Sequence, residues 1–370
     1  MKIGINMGNL RSLGTASIGK KLITDLANQS SNNTYEIWVP EEWLWAQKIN
    51  KPNINIFTTR PGWGAKFYYD NIALRHSIIR NRIERLLSIG DTGTLFCNIP
   101  NYLMVQQAYL AYSPKEYDFI LPKKSRMKFK IMEKYFMLNL LNVSKIIVQT
   151  NDMKRGIASR WNFPEQRIIV IPSAIEIPSE EVIIKELKSV NQYVCYIASS
   201  GPHKNHIVLA DMMAKLDSMG IDLYCIITVR MDEVPDLTYR ARQLGILNRF
   251  IFLGTIIPEQ VRYLLKNAVA MVMPSNLESY GLPYYEALAA GCPIVAADKS
   301  FSREACADAA IYVDANDGEA FAESILEICN NQFFRSHLSN SGKKRFQEVN
   351  KSQTEMTGNL INLIENDSDN

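Results

Sequence analysis

Two doubly wound α/β domains, facing each other across a cleft, are the fold class this sequence predicts. Three features carry the prediction. Short apolar runs alternate with stretches of helical composition through both halves of the chain, as in successive strand–helix–strand units. At 370 residues the chain is longer than one hydrophobic core organises. Residues 172–178 begin and end in proline, and 179–189 are charged and polar, which marks a boundary. The first domain is expected over 1–175 and the second over 190–345, with a last amphipathic helix at 346–366.

Taken in order, residues 2–7 read as a strand leading into glycine-containing text, Gly8 to Gly19, and a helix over 18–28. The G-x-G-x-x-G spacing of a dinucleotide fingerprint is missing there. Strands follow at 35–39 and 54–57, an irregular loop at 60–64, a helix at 71–88, and strands at 94–97 and 103–106. A strand at 145–150, a helix at 151–161 and a strand at 167–171 close the first half. The second half reads as strands at 193–198, 223–229, 250–253, 268–273 and 294–297. Helices lie between them at 207–218, 258–267 and 284–290, and another follows Asp317.

Composition excludes several classes. Hydrophobic residues make up 47% and charged ones 21%, as in an ordinary globular protein, and a net charge of +3 gives no reason to expect nucleic acid. Six scattered cysteines form no C-x-x-C pair, which favours reduced thiols over disulfides or a metal centre. No signal peptide and no membrane-spanning run are read, so a cytoplasmic protein is expected, at most peripheral on the inner face of a membrane.

The chain is organised around residues 274–293. A strand at 268–273 ends at Pro274, Gly281 and Pro283 open a helix, Gly291-Cys-Pro293 stops it, and the next strand begins at Ile294. Such a unit leaves backbone N–H groups free at a helix N-terminus, a ready site for phosphate. Glu278 and Glu286 flank it. Carboxylates beside a phosphate are repelled, so both are expected to reach past it towards sugar or ribose hydroxyls. Residues 202–206, Pro-His-Lys-Asn-His, form a second strand-to-helix turn, where Lys204 can meet the same anion.

Glu278 and Glu286, with seven residues between them inside Pro-Ser-x-x-Glu-Ser-Tyr-Gly-Leu-Pro, resemble the E-x7-E signature of retaining GT-B glycosyltransferases. The nearest group is the large family four of sugar-nucleotide transferases, which includes enzymes of bacterial surface polysaccharide synthesis. Phe252-Leu-Gly254, Ser300-Phe-Ser-Arg-Glu304 and Asp308-Ala-Ala310 fit the same family. The likeness is strong over 190–330 and only an outline before that. It implies transfer of a sugar from a nucleotide diphosphate, UDP- or GDP-linked, to a growing and lipid-linked glycan such as O-antigen or capsule. No cofactor or metal is expected beyond the nucleotide sugar.

By the resemblance, Lys204 neutralises the leaving diphosphate and Glu278 orients the donor sugar. Glu286 holds the ribose, and Ser279, Tyr280, Gly281 and Leu282 line the donor. Gly14 and Thr15 approach the donor sugar and acceptor, and the last helix crosses back onto the first domain. Two departures stand out. Relatives commonly place a His where this chain has Gln106, which can hydrogen-bond a hydroxyl but cannot act as a base. They also carry an Arg shortly before the Lys, where Ser199-Ser200 stands here; Arg303 and Arg230 are the candidate substitutes.

Residues 123–141 carry the one marked charge cluster. Met127, Ile131, Met132, Tyr135 and Leu138 form an apolar stripe among lysines, the pattern of an interfacial helix on an anionic membrane or of a packed helix with a wet face. The only Asp-x-Asp triplet, Asp367-Ser-Asp369, lies in a polar tail expected to be disordered. Two rival readings share the architecture: a sugar-nucleotide epimerase or hydrolase, and a non-catalytic partner subunit.

Overall fold

The computed structural model describes residues 1–11, 13–117, 121 and 123–367; the side chains of Leu13, Gly14, Thr15, Ser17, Trp63, Lys123 and Lys124 lie outside that description. The chain divides into two compact units. One takes Met1–Asp118, Pro122–Ala174 and Lys351–Asn370, and the other Phe119–Leu121 and Ile175–Asn350. The polar stretch 179–189 therefore belongs to the second unit.

The first unit holds a seven-stranded sheet in the order β3-β2-β1-β4-β5-β6-β7, every pairing parallel. Its strands are β1 (Lys2–Asn6), β2 (Thr34–Pro40), β3 (Ile54–Thr59), β4 (Arg85–Ile89), β5 (Asn101–Met104), β6 (Lys145–Val148) and β7 (Ile168–Val170). Both faces are covered, so Ile3, Ile5, Leu87, Met104 and Ile147 are sealed from solvent, which is why these strands read as unbroken apolar runs. The last helix, Gln353–Asn366, adds Met356, Leu360 and Ile364 to this core.

The second unit holds a six-stranded parallel sheet in the order β10-β9-β8-β11-β12-β13. Its strands are β8 (Tyr193–Tyr196), β9 (Tyr224–Ile227), β10 (Phe250–Phe252), β11 (Ala270–Met273), β12 (Ile294–Ala297) and β13 (Ala310–Val313). In each sheet the order reverses beside the first strand. Neighbouring crossovers leave on opposite faces there, and the strand ends lie open to a ligand.

Several local expectations are corrected. Residues 85–88, read as the end of a helix, form β4; the helical text is Trp63–Tyr68, Tyr69–Ala73 and Leu74–Asn81 in succession. That run ends at Arg82, which takes a left-handed φ of 53° without the glycine that normally signals a stop. Thr94–Cys97 is loop. The expected helix at 346–366 is the end of Gln332–Val349 and a separate Gln353–Asn366, with Ser352 capping the second through the Glu355 N–H. Asp367 is held in the first unit, accepting from the Tyr102 hydroxyl at 2.9 Å and pairing with Lys145. In Lys123–Leu140, Met132 and Phe136 pack into the core and Tyr135 donates to the Gly93 carbonyl at 3.1 Å, so part of the predicted stripe faces inward. Met127, Ile131 and Leu138 are exposed.

The first helix begins at Leu13, five residues before expectation, so Gly14 is a helical rather than a loop residue, and Gly19 lies on its second turn. A Cβ on Gly19 would lie 2.6 Å from Cη2 of Trp43 and 3.0 Å from Cδ1 of Leu10, both buried. Overpacking then outweighs the better helix propensity of alanine. Gly19→Ala is expected to lower stability in chemical denaturation by about 1–3 kcal/mol; a gain in stability would contradict this packing.

Candidate active site

In the second unit two loops leave the C-terminal ends of neighbouring strands, β8 and β11, and are laced together. The hydroxyl of Tyr196, the last residue of β8, donates to the Lys204 carbonyl at 2.7 Å and lies 2.8 Å from the Ser275 hydroxyl. The Asn276 N–H donates to the His203 carbonyl at 2.8 Å. Residues Pro202–Lys204 form a single tight turn, closed by the Lys204 N–H on the Gly201 carbonyl at 2.9 Å. Asn205 ends the turn at φ 54° and anchors it through its amide on the Ala315 carbonyl at 2.7 Å.

This lacing brings together the two residues given catalytic roles by the resemblance. Nζ of Lys204 lies 2.6 Å from Oε1 of Glu278, with side chains only 14% and 8% exposed. At such burial each charge depends on a partner, so a ligand that engages one must change the pairing of the other.

Glu278 leads into the helix Leu282–Ala290. Gly281 caps it at φ 70°, and a Cβ there would meet the Tyr284 ring at 2.6 Å, so only glycine fits. Pro283 lacks an N–H and Tyr284 donates to the Gly281 carbonyl, while the N–H groups of Gly281 and Leu282 find no partner among the described residues. Leu282 is 44% exposed at the helix start. Two free donors and the positive end of a helix dipole make an anion site beside Lys204. Ser279 is partly exposed, and Tyr280 is turned inward and stacked on Tyr285 at 4.5 Å.

Glu286 sits on the second turn of that helix, away from the Lys204 pair. It lines a cavity of about 160 Å3 with apolar walls from Ile177, Pro178, Pro258 and Val261. Arg262 and Lys266 also line it, and both pair with Glu181. Ser199 and Ser200 are exposed, and the candidate substitutes for the missing arginine are already engaged. Arg303 makes a two-pronged pair with Asp298 at 2.6 and 2.8 Å and lies over the Tyr312 ring. Arg230 pairs with Asp232 and Glu233.

The remaining candidates lie in the first unit. Gly14 and Thr15 fall in the first turn of Leu13–Asn28, and their side chains are outside the described residues. Gln106, just past β5, is 9% exposed, and both its amide atoms are buried without a partner. Asp91 accepts from its backbone N–H, a contact the sequence hid because β4 was read as helix. Tyr196, Ser275 and Asn276 were missed as well, since nothing in sequence marks a tyrosine at a strand end as a loop tie.

Among the described residues no cluster of three or more His, Cys, Asp or Glu is placed to hold a metal, and all six cysteines are free. No described helix is long and apolar enough to cross a membrane.

Comparison with known proteins follows the same division. The family model described as Glycosyl transferases group 1 matches residues 179–345. The O-antigen chain mannosyltransferase RfbU of Salmonella typhimurium is 26% identical over 184 residues, covering 50% of this chain and 50% of its own. The chain thus spans about half the length of that relative. Sucrose-phosphate synthase from Thermosynechococcus elongatus superposes over 98% of both chains with a TM-score of 0.74 at 13% identity. Anabaena HepE, solved with UDP and glucose, does so over 98% of both with a TM-score of 0.72 at 14% identity. At those identities the likeness establishes the fold.

His203 and His206 flank Lys204. Burial, then the neighbouring ammonium, lowers both to a pKa of about 4. The ordinary value near 6.5 applies in the unfolded chain, so between pH 6.5 and 4 the unfolded state binds more protons and stability falls as pH falls. The loss is expected to be on the order of 1–3 kcal/mol per histidine by pH 4. His206→Phe, which keeps a ring against Tyr196, where the two rings lie tilted at 4.9 Å, is expected to flatten part of that slope in melting curves across pH. An unchanged slope would show that His206 is not buried neutral.

Proposed function

We propose that this chain, whose residues 179–345 are a group 1 glycosyl transferase domain and whose fold is GT-B, is a retaining, metal-independent glycosyltransferase of bacterial surface polysaccharide synthesis. It moves a sugar from a nucleotide diphosphate to a lipid-linked glycan in the cytoplasm. The observation that carries the reading is the Lys204–Glu278 pair at the start of a helix with two unused N–H donors. The name of the Salmonella relative supports mannose and an O-antigen acceptor; the Anabaena complex supports a uridine diphosphate donor.

In this reading the diphosphate settles on the Gly281 and Leu282 N–H groups and draws Lys204 from Glu278. Lys204 then stabilises the charge that grows on the leaving phosphate as the glycosidic bond breaks. Glu278, released, accepts hydroxyls of the donor sugar. Glu286 binds the ribose at the mouth of its apolar cavity, whose walls suit a base. The positive charge comes from protein groups, so no metal bridge is required. Gln106 donates to and accepts from a sugar hydroxyl.

The test is turnover of five nucleotide sugars (UDP-glucose, UDP-galactose, UDP-N-acetylglucosamine, GDP-mannose and ADP-glucose) with bacterial lipid extract as acceptor source, run in EDTA. Sugar transfer with retained anomeric configuration is expected. Donor loss without transfer points to a hydrolase, no donor binding to a non-catalytic subunit, and rescue only by Mg²⁺ or Mn²⁺ contradicts metal independence. Lys204→Ala is expected to lower turnover about 100-fold or more while weakening donor binding less, because the charge it meets is largest in the transition state. Glu286→Gln is expected to cost about 1.5–3 kcal/mol of donor affinity by calorimetry; an unchanged dissociation constant removes Glu286 from the ribose.

A membrane surface fits the same reading. Lys123–Leu140 exposes Met127, Ile131, Met137 and Leu138 beside Lys128, Lys130 and Lys134. The run Trp63–Asn81 exposes Phe67, Tyr68, Ile72 and Ile79 beside Arg75 and Arg80. Asn71 ties the two together through the Tyr135 hydroxyl at 2.8 Å. Apolar groups amid cations suit anionic headgroups, at about 1 kcal/mol per basic residue. Changing Lys128, Lys130 and Lys134 to Glu is expected to abolish sedimentation with phosphatidylglycerol liposomes and leave nucleotide binding intact. Wild-type protein that ignores such liposomes at low salt returns these helices to a plain wet face.

A further inference from the structure

We propose that Asp91 is a positioning residue for sugar transfer: it fixes the chain after β5 so that the Gln106 amide is presented to a sugar hydroxyl. The proposal rests on the role given to Gln106 above.

Oδ1 of Asp91 accepts from the backbone N–H groups of Gln106 and Gln107, both at 2.7 Å. Charge-assisted bonds of this length are strong, and two on one oxygen fix the plane of the following peptide. Asp91 itself stands in the left-handed region, at φ 71°, after Gly90 at φ 127°. Outside glycine that conformation is unfavourable by about 1 kcal/mol or more, and asparagine and aspartate tolerate it best. The turn is pinned to the strand beside it, since the Gly90 and Asp91 N–H groups both point at the Met104 carbonyl, at 3.4 and 3.3 Å. Val105 is bonded to Ile147 at 2.8 Å, so Gln106 is the first residue of this strand end that sheet hydrogen bonds do not hold.

The carboxylate is half-buried, and burial raises its pKa while the two N–H donors and the Lys66 ammonium oppose the rise. A strained backbone and a half-buried carboxylate are unusual means of closing a surface turn. What they produce is a fixed Gln106, whose Oε1 and Nε2 are both buried and unpaired. A buried primary amide with neither atom satisfied is unfavourable in a structural role and suited to a hydroxyl, which can accept from one atom and donate to the other.

The experiment compares Gln106→Ala, Asp91→Gly, their double variant and Asp91→Asn, using whichever of the five nucleotide sugars the wild type turns over fastest. Glycine adopts φ 71° without strain, so Asp91→Gly removes the carboxylate while sparing the turn. Each single variant is expected to lose about 10- to 30-fold in kcat, the worth of one well-placed hydrogen bond, with donor Kd within about twofold of wild type. The double variant is expected to be no slower than the worse single, since both act through one amide. Asp91→Asn restores most of the loss, because its amide oxygen accepts the same two N–H groups.

Losses that multiply in the double variant overturn the proposal, as does Asp91→Asn as slow as Asp91→Gly with a normal melting temperature. Asp91→Gly at wild-type rate beside a slow Gln106→Ala removes Asp91 alone. Gln106→Ala at wild-type rate overturns both this inference and the role of Gln106, and a wild type that turns over none of the five overturns the proposed function with it.

Discussion

The buried pair in the second unit depends on how two loops are tied, above all by the Tyr196 hydroxyl between the Lys204 carbonyl and Ser275, beside the Asn276 N–H on the His203 carbonyl. That hydroxyl joins the turn after β8 to the loop after β11, and those loops carry the cation and the carboxylate that form the buried pair. The phenol is fully buried and its pKa is pushed well up, by burial first and by Glu278 second, so it stays a donor at any physiological pH. A tie that cannot ionise is a reliable spacer. With the Asn276 N–H on the His203 carbonyl, it holds Lys204 and Glu278 where the charge of one compensates the burial of the other.

Sheet topology explains why these two loops meet. β8 and β11 are adjacent because the strand order reverses beside β8, and parallel strands deliver all their C-terminal ends to one edge. The first unit repeats the arrangement with β1 and β4 adjacent and β5 next, which sets Asp91 beside Gln106. In both units the residues of interest follow a strand, and in both a residue at positive φ shapes the turn: Gly281 and Asn205 in one, Gly90 and Asp91 in the other. These positions have in common a backbone aimed by the sheet and bent by a residue that accepts the strain.

How much of this was legible in the sequence follows from the same physics. The helix Leu282–Ala290 could be read because Gly281, Pro283 and Gly291 are unambiguous punctuation, and Asn151–Trp161 because Thr150 is an N-cap. β4 could not be read. Its Leu86-Leu87 follows arginine-rich helical text, and the stop between them is Arg82, a residue that carries no stop signal. That single silent turn hid Asp91. Lys204 and Glu278 were legible only as a cation for the phosphate and a carboxylate reaching past it; that they bind each other across 74 positions is a tertiary fact, helped by Tyr196. The inward turn of Tyr280 was likewise hidden, since an aromatic residue in a loop has the same composition whether it faces a ligand or packs on Tyr285.

The serines at 199 and 200 bear on how such a site would work. Arg230 and Arg303 each pair with neighbouring carboxylates at the surface, and the positive groups placed at the start of Leu282–Ala290 are Lys204 and the helix itself. Lys204 is in turn bound to Glu278. On the proposed reading, then, a diphosphate draws on a cation already paired with Glu278, and that draw loosens Glu278 towards the sugar hydroxyls. Binding of the phosphates and readiness of the sugar-facing carboxylate are thereby coupled. A nucleoside diphosphate without a sugar would draw Lys204 away from a buried carboxylate and offer that carboxylate nothing in return; a complete donor supplies hydroxyls in its place. The scarcity of cations, which taken alone predicts weak binding, becomes on this reading a reason for the site to prefer the intact donor to the product it releases.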